Sequence, residues 1–190
     1  MSWVAYADES MRHRPDRTGL YVLAAAVFDP VETEKLRDEA RHLGQGSQRF
    51  HWRDESPSRR RKAVAAVAAL DSLHFVVVGT GLDGRRQERG RRQCLTRLLW
   101  ELGECGVDEA RLDARRPEQN ARDIALVDAL RSRRQIRDEL RLDFARSVTE
   151  PLVWLPDIVA GAVSAARGDG DHQYVTMLER VLTEYAIELD

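Results

Sequence analysis

Near its start the chain reads Trp3-Val4-Ala5-Tyr6-Ala7-Asp8-Glu9-Ser10, an apolar run that ends in acidic residues. Such a run is typical of a buried strand, and it places Asp8 at the strand's carboxyl end, where a sheet opens to ligand. A carboxylate in these surroundings is costly unless a positive group meets it. We therefore interpret Asp8 as a candidate ligand of a cation.

A second carboxylate lies in apolar surroundings far along the chain, in Leu155-Pro156-Asp157-Ile158-Val159-Ala160-Gly161-Ala162. This stretch predicts a helix that belongs against a core rather than in water, and Asp157 is the acid within it. The two carboxylates, Asp8 and Asp157, are both aimed into apolar surroundings from opposite ends of the sequence. The pattern suggests that they share a cation.

The length and net charge of the chain limit its possible functions. A chain of 190 residues predicts one domain with a sizeable core. The net charge of −2 excludes a strongly basic nucleic-acid-binding chain, so a polyanion would have to be held by local patches or through metal. The sequence has no signal-peptide pattern, lipidation motif or apolar run of membrane length, which predicts a soluble, cytoplasmic protein that does not enter a membrane.

The order of predicted elements favours an α/β fold. Two apolar strands come first and read as a hairpin, and two helices follow before the next strand. Helices and strands then alternate, which favours a mixed sheet that is antiparallel at first and parallel later, with helices covering it. The predicted strands cover residues 3–8, 20–28, 73–78, 107–113 and 140–144.

Gly168 and Gly170 predict the boundary of a C-terminal segment. We expect residues 1–168 to form the main domain and residues 171–190 to form a last helix. Its apolar stripe would pack on the domain or on a second copy of the chain, which makes a homodimer through this helix possible. The stripe consists of Tyr174, Leu178, Val181, Leu182 and Tyr185.

Five segments together resemble the uncharacterised family called domain of unknown function 3800. This resemblance implies a ribonuclease H-like fold: a mixed five-stranded sheet flanked by helices, with a helical insertion after the second strand. It also implies that acids from the first strand, the fourth strand and the final core helix meet, and these correspond to Asp8, Asp113 and Asp157. The segments are Asp8-Glu9-Ser10, Val27-Phe28-Asp29-Pro30, Phe50-His51-Trp52, the strand ending at Asp113, and residues 155–163.

The chemistry implied by the resemblance is phosphodiester cleavage with two Mg²⁺ or Mn²⁺ ions, which prefer oxygen ligands. In this interpretation Asp8 bridges both ions, and Asp113 and Asp157 each hold one. Asp108 lies in the same weakly patterned strand as Asp113 and is the alternative there. Glu9 alternates to the other side of the strand, so it would fix the loop or act through water.

The sequence departs from the family pattern at His51. Related sequences often carry an acid just before this histidine, whereas the chain has Gln48-Arg49-Phe50 there. Asp54 or Glu55 would have to replace the lost acid, or the second metal would bind weakly. A packed, hydrogen-bonded role for His51 is favoured over metal ligation, and proton shuttling and phosphate contact stay open.

Arginines close in sequence to the predicted carboxylates are the candidate contacts for substrate phosphate. No aromatic stacking platform is evident, because each tryptophan, Trp100 included, falls in an apolar or motif context. The candidate arginines are Arg12, Arg14, Arg17, Arg115 and Arg116.

Three functions are compatible with these features. The leading one is a metal-dependent nuclease or related phosphodiesterase that acts on nucleic acid. The second is a non-catalytic ribonuclease H-like module that binds nucleic acid or protein, and the missing acid near His51 is the argument for it. The third is an aspartyl-phosphate hydrolase with Asp8 as nucleophile, but such a site would want a second Asp where the chain has Ser10.

Overall fold

The computed structural model describes residues 2–12, 19–44 and 49–189. They form one mixed sheet of six strands with helices on both faces, in place of the five strands that the resemblance implies. The strands are β1 (Trp3–Arg12), β2 (Gly19–Phe28), β3 (Leu73–Leu82), β4 (Val107–Asp113), β5 (Arg141–Ala145) and β6 (Leu182–Glu188). The α-helices are α1 (Thr33–Leu43), α2 (Pro57–Ala68), α3 (Gln87–Glu104), α4 (Pro117–Ser132) and α5 (Trp154–Asp169).

The strand order is β5-β4-β1-β2-β3-β6. The β1–β2 and β2–β3 pairs are antiparallel, whereas β4, β5 and β6 pair in parallel with their neighbours. This is the predicted change from an antiparallel start to a parallel second half. Helices α1 and α2 lie between β2 and β3, where the sequence predicts two helical segments.

Alternation along β1 divides the core into two layers. Val4 and Tyr6 face the core under α1, α2 and α5. Ala5 and Ala7 face the core under α3 and α4. All ten residues of β2 are buried, as expected for a central strand that is apolar on both faces.

The prediction of a C-terminal helix is wrong. A short 3₁₀ helix at Val175–Leu178 precedes β6, and β6 pairs along β3 from His74↔Leu182 to Thr80↔Glu188. Long-range pairing with β3 decides the conformation here, because short apolar runs satisfy helix and strand patterns alike. Two members of the predicted stripe, Tyr174 and Leu178, are buried in this chain's own core.

None of the helices in the described ranges is long and apolar enough to cross a membrane.

Candidate active site

Two of the predicted carboxylates come from neighbouring parallel strands. The register pairs Ala7 of β1 with Leu112 of β4, and both of these residues face the core under α3 and α4. The next residue in each strand therefore points to the opposite face, toward α5. These next residues are Asp8 and Asp113, which line the same cavity.

The structure also distinguishes Asp113 from Asp108, the alternative in the same strand. Asp108 is not among the residues that line the cavity, and it lies five residues before Asp113, where the register of β4 with β1 shifts. Its Oδ1 is 3.6 Å from a guanidinium nitrogen of Arg137. Asp113 is thus the carboxylate of β4 that faces Asp8.

The third carboxylate, Asp157, lies in the first turn of α5. The Trp52 backbone N–H donates to Asp157 Oδ2 at 2.9 Å, and His51 Nδ1 is 3.4 Å from the same oxygen. Gly161 lies one helical turn after Asp157, and a Cβ there would be 2.2 Å from the Trp52 indole. A glycine at 161 thus lets Trp52 pack on α5 and present its N–H to Asp157.

The three carboxylates and His51 line one cavity of about 110 Å³. Its residues come from β1, the segment before α2, the end of β4, the loop after β5 and α5. They are Asp8, Glu9, Arg49, Phe50, His51, Asp113, Ser147, Trp154 and Asp157.

The electrostatics of the cavity are unfavourable for Asp8. Burial raises its pKa well above the usual range, and the charges of Asp157 and then Asp113 raise it further. Arg91 and Arg49 act in the opposite direction with smaller effect. Like charges that face one another in this way are stabilised by a positive ligand.

The raised pKa predicts a stability effect. The folded state holds the Asp8 proton more tightly than the unfolded chain does, so stability falls as pH rises from the unfolded pKa of about 3.9 through the raised folded value. At neutral pH, Asp8→Asn should raise the free energy of unfolding of the metal-free protein by about 0.5–2 kcal/mol. Asparagine can still accept the Glu9 N–H that Asp8 Oδ1 accepts at 2.7 Å.

Urea unfolding in EDTA at several pH values measures this effect. The matched control is Asp128→Asn on α4, an exposed carboxylate outside the cavity, which should stay within about 0.5 kcal/mol of the wild type. The gain in Asp8→Asn should shrink as pH falls. A variant less stable than the wild type at neutral pH would contradict the electrostatic argument.

His51 is half-buried and belongs to the cavity rather than to the core. The contact with Asp157 raises its pKa, although burial and the charge of Arg49 oppose the shift. The imidazole is therefore positioned to hold a proton beside Asp157. The sequence favoured a packed, hydrogen-bonded histidine. The structure shows a histidine whose ring faces the Asp157 carboxylate at the edge of the cavity.

The donor set fits a hard divalent cation, which prefers carboxylate oxygens. One oxygen of each carboxylate accepts a backbone N–H: from Glu9 to Asp8, from Ser147 to Asp113 at 3.0 Å, and from Trp52 to Asp157. The second oxygen of each accepts no hydrogen bond from any residue that the structure describes. Within those same residues, no group of three or more His, Cys, Asp or Glu side chains already has the arrangement of a metal site.

Glu9 points to the other face of β1, as strand alternation predicts. It forms an ion pair with Arg91 of α3, and the Tyr21 hydroxyl donates to Glu9 Oε2 at 2.5 Å. Arg91 is 3% exposed and also donates to Asp123 of α4 at 2.8 Å. A buried network thus fixes Glu9 behind Asp8.

Arg91 and Asp123 were missed as buried ionic residues, although the sequence carries a signal for both. Arg91 stands three and four positions before Cys94 and Leu95, on the apolar stripe of α3. Asp123 stands three positions before Leu126 on the stripe of α4. A charged residue at a stripe position of a buried helix face predicts a paired, buried charge.

The five arginines predicted to contact phosphate lie in different parts of the protein. Arg115 lines a small cavity of about 40 Å³ together with Asp8 and Asp113. Arg116 is exposed at the start of α4 and lines neither of the two cavities around Asp8. Arg14 and Arg17 lie outside the described residues.

Arg12 lies away from the carboxylates, which makes its prediction as a phosphate contact there wrong. Its side chain donates to Ser164 Oγ at 3.1 Å and pairs with Asp169 at the end of α5. Asp169 is twelve residues, or about 18 Å of helix, beyond Asp157. The extension of β1 past Asp8 carries Arg12 toward the far end of α5.

The suggested replacements for the missing acid do not reach the cavity. Glu55 accepts from Arg59 at 2.5 Å, and Asp54 is exposed at the end of a short 3₁₀ helix. The cavity has a basic residue at the corresponding edge, because Arg49 lines it and donates to Ser147 Oγ at 2.9 Å. Arg49 is a functional candidate that the sequence did not single out.

The comparisons with known proteins find similar folds and no family. No family model matches the chain, and no curated protein matches it. The chain is similar to a chain in the structure of the PCNA:RNase HII complex from Archaeoglobus fulgidus, with a TM-score of 0.55 and 16% identity over 92% of this chain and 78% of that chain.

Two further structures are less similar. Ribonuclease H2 from Pyrococcus horikoshii OT3 has a TM-score of 0.49 and 17% identity over 89% of this chain and 78% of that chain. Bst-RNase HIII in complex with Mn²⁺ has a TM-score of 0.46 and 15% identity over 88% of this chain and 56% of that chain. At such low identity the similarity to the RNase HII complex concerns the fold alone. The chain has a ribonuclease H-like fold.

Proposed function

We propose that this protein is a divalent-metal-dependent nuclease or related phosphodiesterase of the domain of unknown function 3800 family. The observation that carries the proposal is the convergence of Asp8, Asp113 and Asp157 from three separate elements on one cavity. Such a set of carboxylates raises the energy of the empty site, as the pKa of Asp8 indicates. A cation would relieve that repulsion.

Each residue of the cavity has a role in this proposal. Asp8, Asp113 and Asp157 would hold Mg²⁺ or Mn²⁺, which when bound activates water and neutralises charge on the phosphate. His51 holds a proton beside Asp157 and can exchange it with solvent through its exposed edge. Arg49 and Arg115 flank the carboxylates and would orient a phosphate of the nucleic acid.

Cleavage assays test this function. The full chain is incubated with labelled single-stranded, duplex and hybrid DNA and RNA, with Mn²⁺ or with EDTA, and the products are resolved on denaturing gels. Asp8→Asn should abolish Mn²⁺-dependent cleavage, whereas Asp128→Asn should retain it, because Asp128 lies outside the cavity and pairs with Arg131. Equal activity of the wild type and Asp8→Asn, or none in any protein, would overturn the proposal.

One observation favours a second candidate, the non-catalytic nucleic-acid or protein-binding module. Neither Asp54 nor Glu55 lines the cavity, so no acid replaces the one missing beside His51 among the residues that line it. Calorimetry with Mn²⁺ separates the two functions. The nuclease requires saturable binding that weakens in Asp157→Asn, while the binding module requires none.

A further inference from the structure

Two large cavities lie beside α3, on the opposite face of the sheet from α5. The first is between α3 and α4, and the second is lined by α3, the segment after α4 and β6. The first has a volume of about 600 Å³. Arg89 and Arg92 of α3 and Arg122 of α4 line it, and Ala125 and Leu126 supply apolar lining. Guanidinium groups from two helices therefore face one groove with an apolar part.

The groove carries net positive charge. Glu88 and Asp123 also line it, but Arg115 donates to Glu88 at 2.7 Å and to Asp123 at 3.1 Å. Asp123 pairs with Arg91 as well, so both acids already have partners within the protein. Arg92 and Arg122 are exposed and have no carboxylate partner in the described part of the chain. They are placed to meet an anion from outside the protein.

The second cavity offers an exposed aromatic ring. It has a volume of about 400 Å³, and Arg97, Trp100, Arg134 and Gln135 are among its residues. Trp100 is 46% exposed, and the Arg97 guanidinium carbon is 5.7 Å from the centre of its ring. Trp100 lies eight residues after Arg92, about 12 Å along α3. The expectation that Trp100 falls in an apolar context is therefore wrong.

Arg115 connects this surface to the candidate active site. Its guanidinium pairs with Glu88 and Asp123 at the wall of the first large cavity. The same residue lines the small cavity that contains Asp8 and Asp113. Because the small cavity also contains Ala7 and Leu112 of the α3–α4 face, Arg115 lies between that face and the carboxylates.

We propose that this α3–α4 track, from Arg115 through Arg92 and Arg122 to Trp100, binds single-stranded nucleic acid that enters the carboxylate cavity. The connection to cleavage rests on the proposed function, whereas the binding itself does not. A positive groove beside an aromatic platform is how proteins hold single strands, because the phosphates meet the arginines and an unpaired base stacks on the ring. A duplex hides its base faces and cannot use Trp100 in this way.

Fluorescence anisotropy in EDTA tests the aromatic part of the track without cleavage. The probe is a fluorescein-labelled single-stranded oligonucleotide, and the blunt duplex of the same sequence is the competitor. Trp100→Ala should raise Kd for the single strand about 5- to 150-fold, and Trp100→Phe should restore most of the affinity. The duplex should bind more weakly than the single strand.

Salt dependence tests the basic part. Arg92→Gln with Arg122→Gln should reduce the slope of log K against log salt by about 1.4, since each neutralised phosphate of a single strand contributes about 0.7. The matched control is Arg141→Gln with Arg180→Gln, which removes the same charge from exposed positions outside the track and should leave the slope unchanged. Thermal melting of every variant confirms that it is folded.

Three results would overturn the track: no binding of the single strand, equal Kd for the wild type and Trp100→Ala, or a slope that changes equally in the two arginine pairs. Preference for the duplex would overturn it as well. Failure of the nuclease proposal is distinguishable, because it appears as absent cleavage in Mn²⁺ while binding in EDTA still depends on Trp100 and Arg92.

Discussion

Replacing Arg91 with methionine is expected to lower the free energy of unfolding by about 3–5 kcal/mol. Arg91 is 3% exposed and pairs with Glu9 and Asp123. Methionine has a similar length but no charge, so the substitution leaves Glu9 without its cation and Asp123 with Arg115 alone. Burial lowers the pKa of Arg91, and the hydrogen bond and charge of Asp123 oppose that shift.

The neighbouring residue provides the control. Arg92→Met removes the same group one position along α3, but Arg92 is exposed, so its effect should stay within about 0.5 kcal/mol. For a protein of this size Arg91→Met should lower the melting temperature by roughly 6–20 °C. Urea unfolding and thermal melting measure both variants. Equal effects at positions 91 and 92 would mean that the buried network does not stabilise the fold.

The double variant Arg91→Met with Glu9→Gln tests the cause. Removing the Glu9 charge should recover part of the loss, because the carboxylate left without its cation is then gone. Tyr21 can still donate its hydroxyl to the glutamine, as it does to Glu9 in the wild type. A double variant with the simple sum of both losses would point to lost packing of the Arg91 side chain instead.

The sequence predicts those parts of the site in which strand alternation alone decides the face to which a side chain points. Asp8 and Glu9 are neighbours in β1, and period 2 alone sends Asp8 toward α5 and Glu9 toward Arg91. Asp157 was identifiable because it is the one acid in an apolar helix stretch. In both cases the residues within a few positions along the chain contain the information.

Long-range contacts decide what could not be predicted. Residues 182–188 satisfy a helical stripe, yet their backbone completes the sheet beside β3, which a local pattern does not encode. Arg12 is close to Asp8 in sequence, but the strand carries it to Asp169. Trp100 lies beside the apolar stripe of α3 and still keeps 46% of its surface exposed. Neighbouring residues in the sequence therefore did not predict the contacts or the exposure of these residues.

Metal binding should stabilise the protein if the carboxylates form a cation site. A cation that binds only the folded state raises the free energy of unfolding by RT ln(1 + [L]/Kd), about 2.7 kcal/mol at a hundredfold excess over Kd. Millimolar Mn²⁺ should then raise the melting temperature of the wild type by roughly 5–11 °C. We expect one tight and one weak site, because neither Asp54 nor Glu55 lines the cavity.

Asp157→Asn is the variant that separates this effect from general salt stabilisation. Asparagine can still accept the Trp52 N–H that Asp157 accepts at 2.9 Å, so the metal-free fold should be retained. Its charge is lost, however, and the Mn²⁺ shift should fall to a small fraction of the wild-type shift, whereas Asp128→Asn should show the full shift. Equal shifts in all three proteins, or none, would remove the metal site and leave the binding module as the better account of the carboxylate cavity.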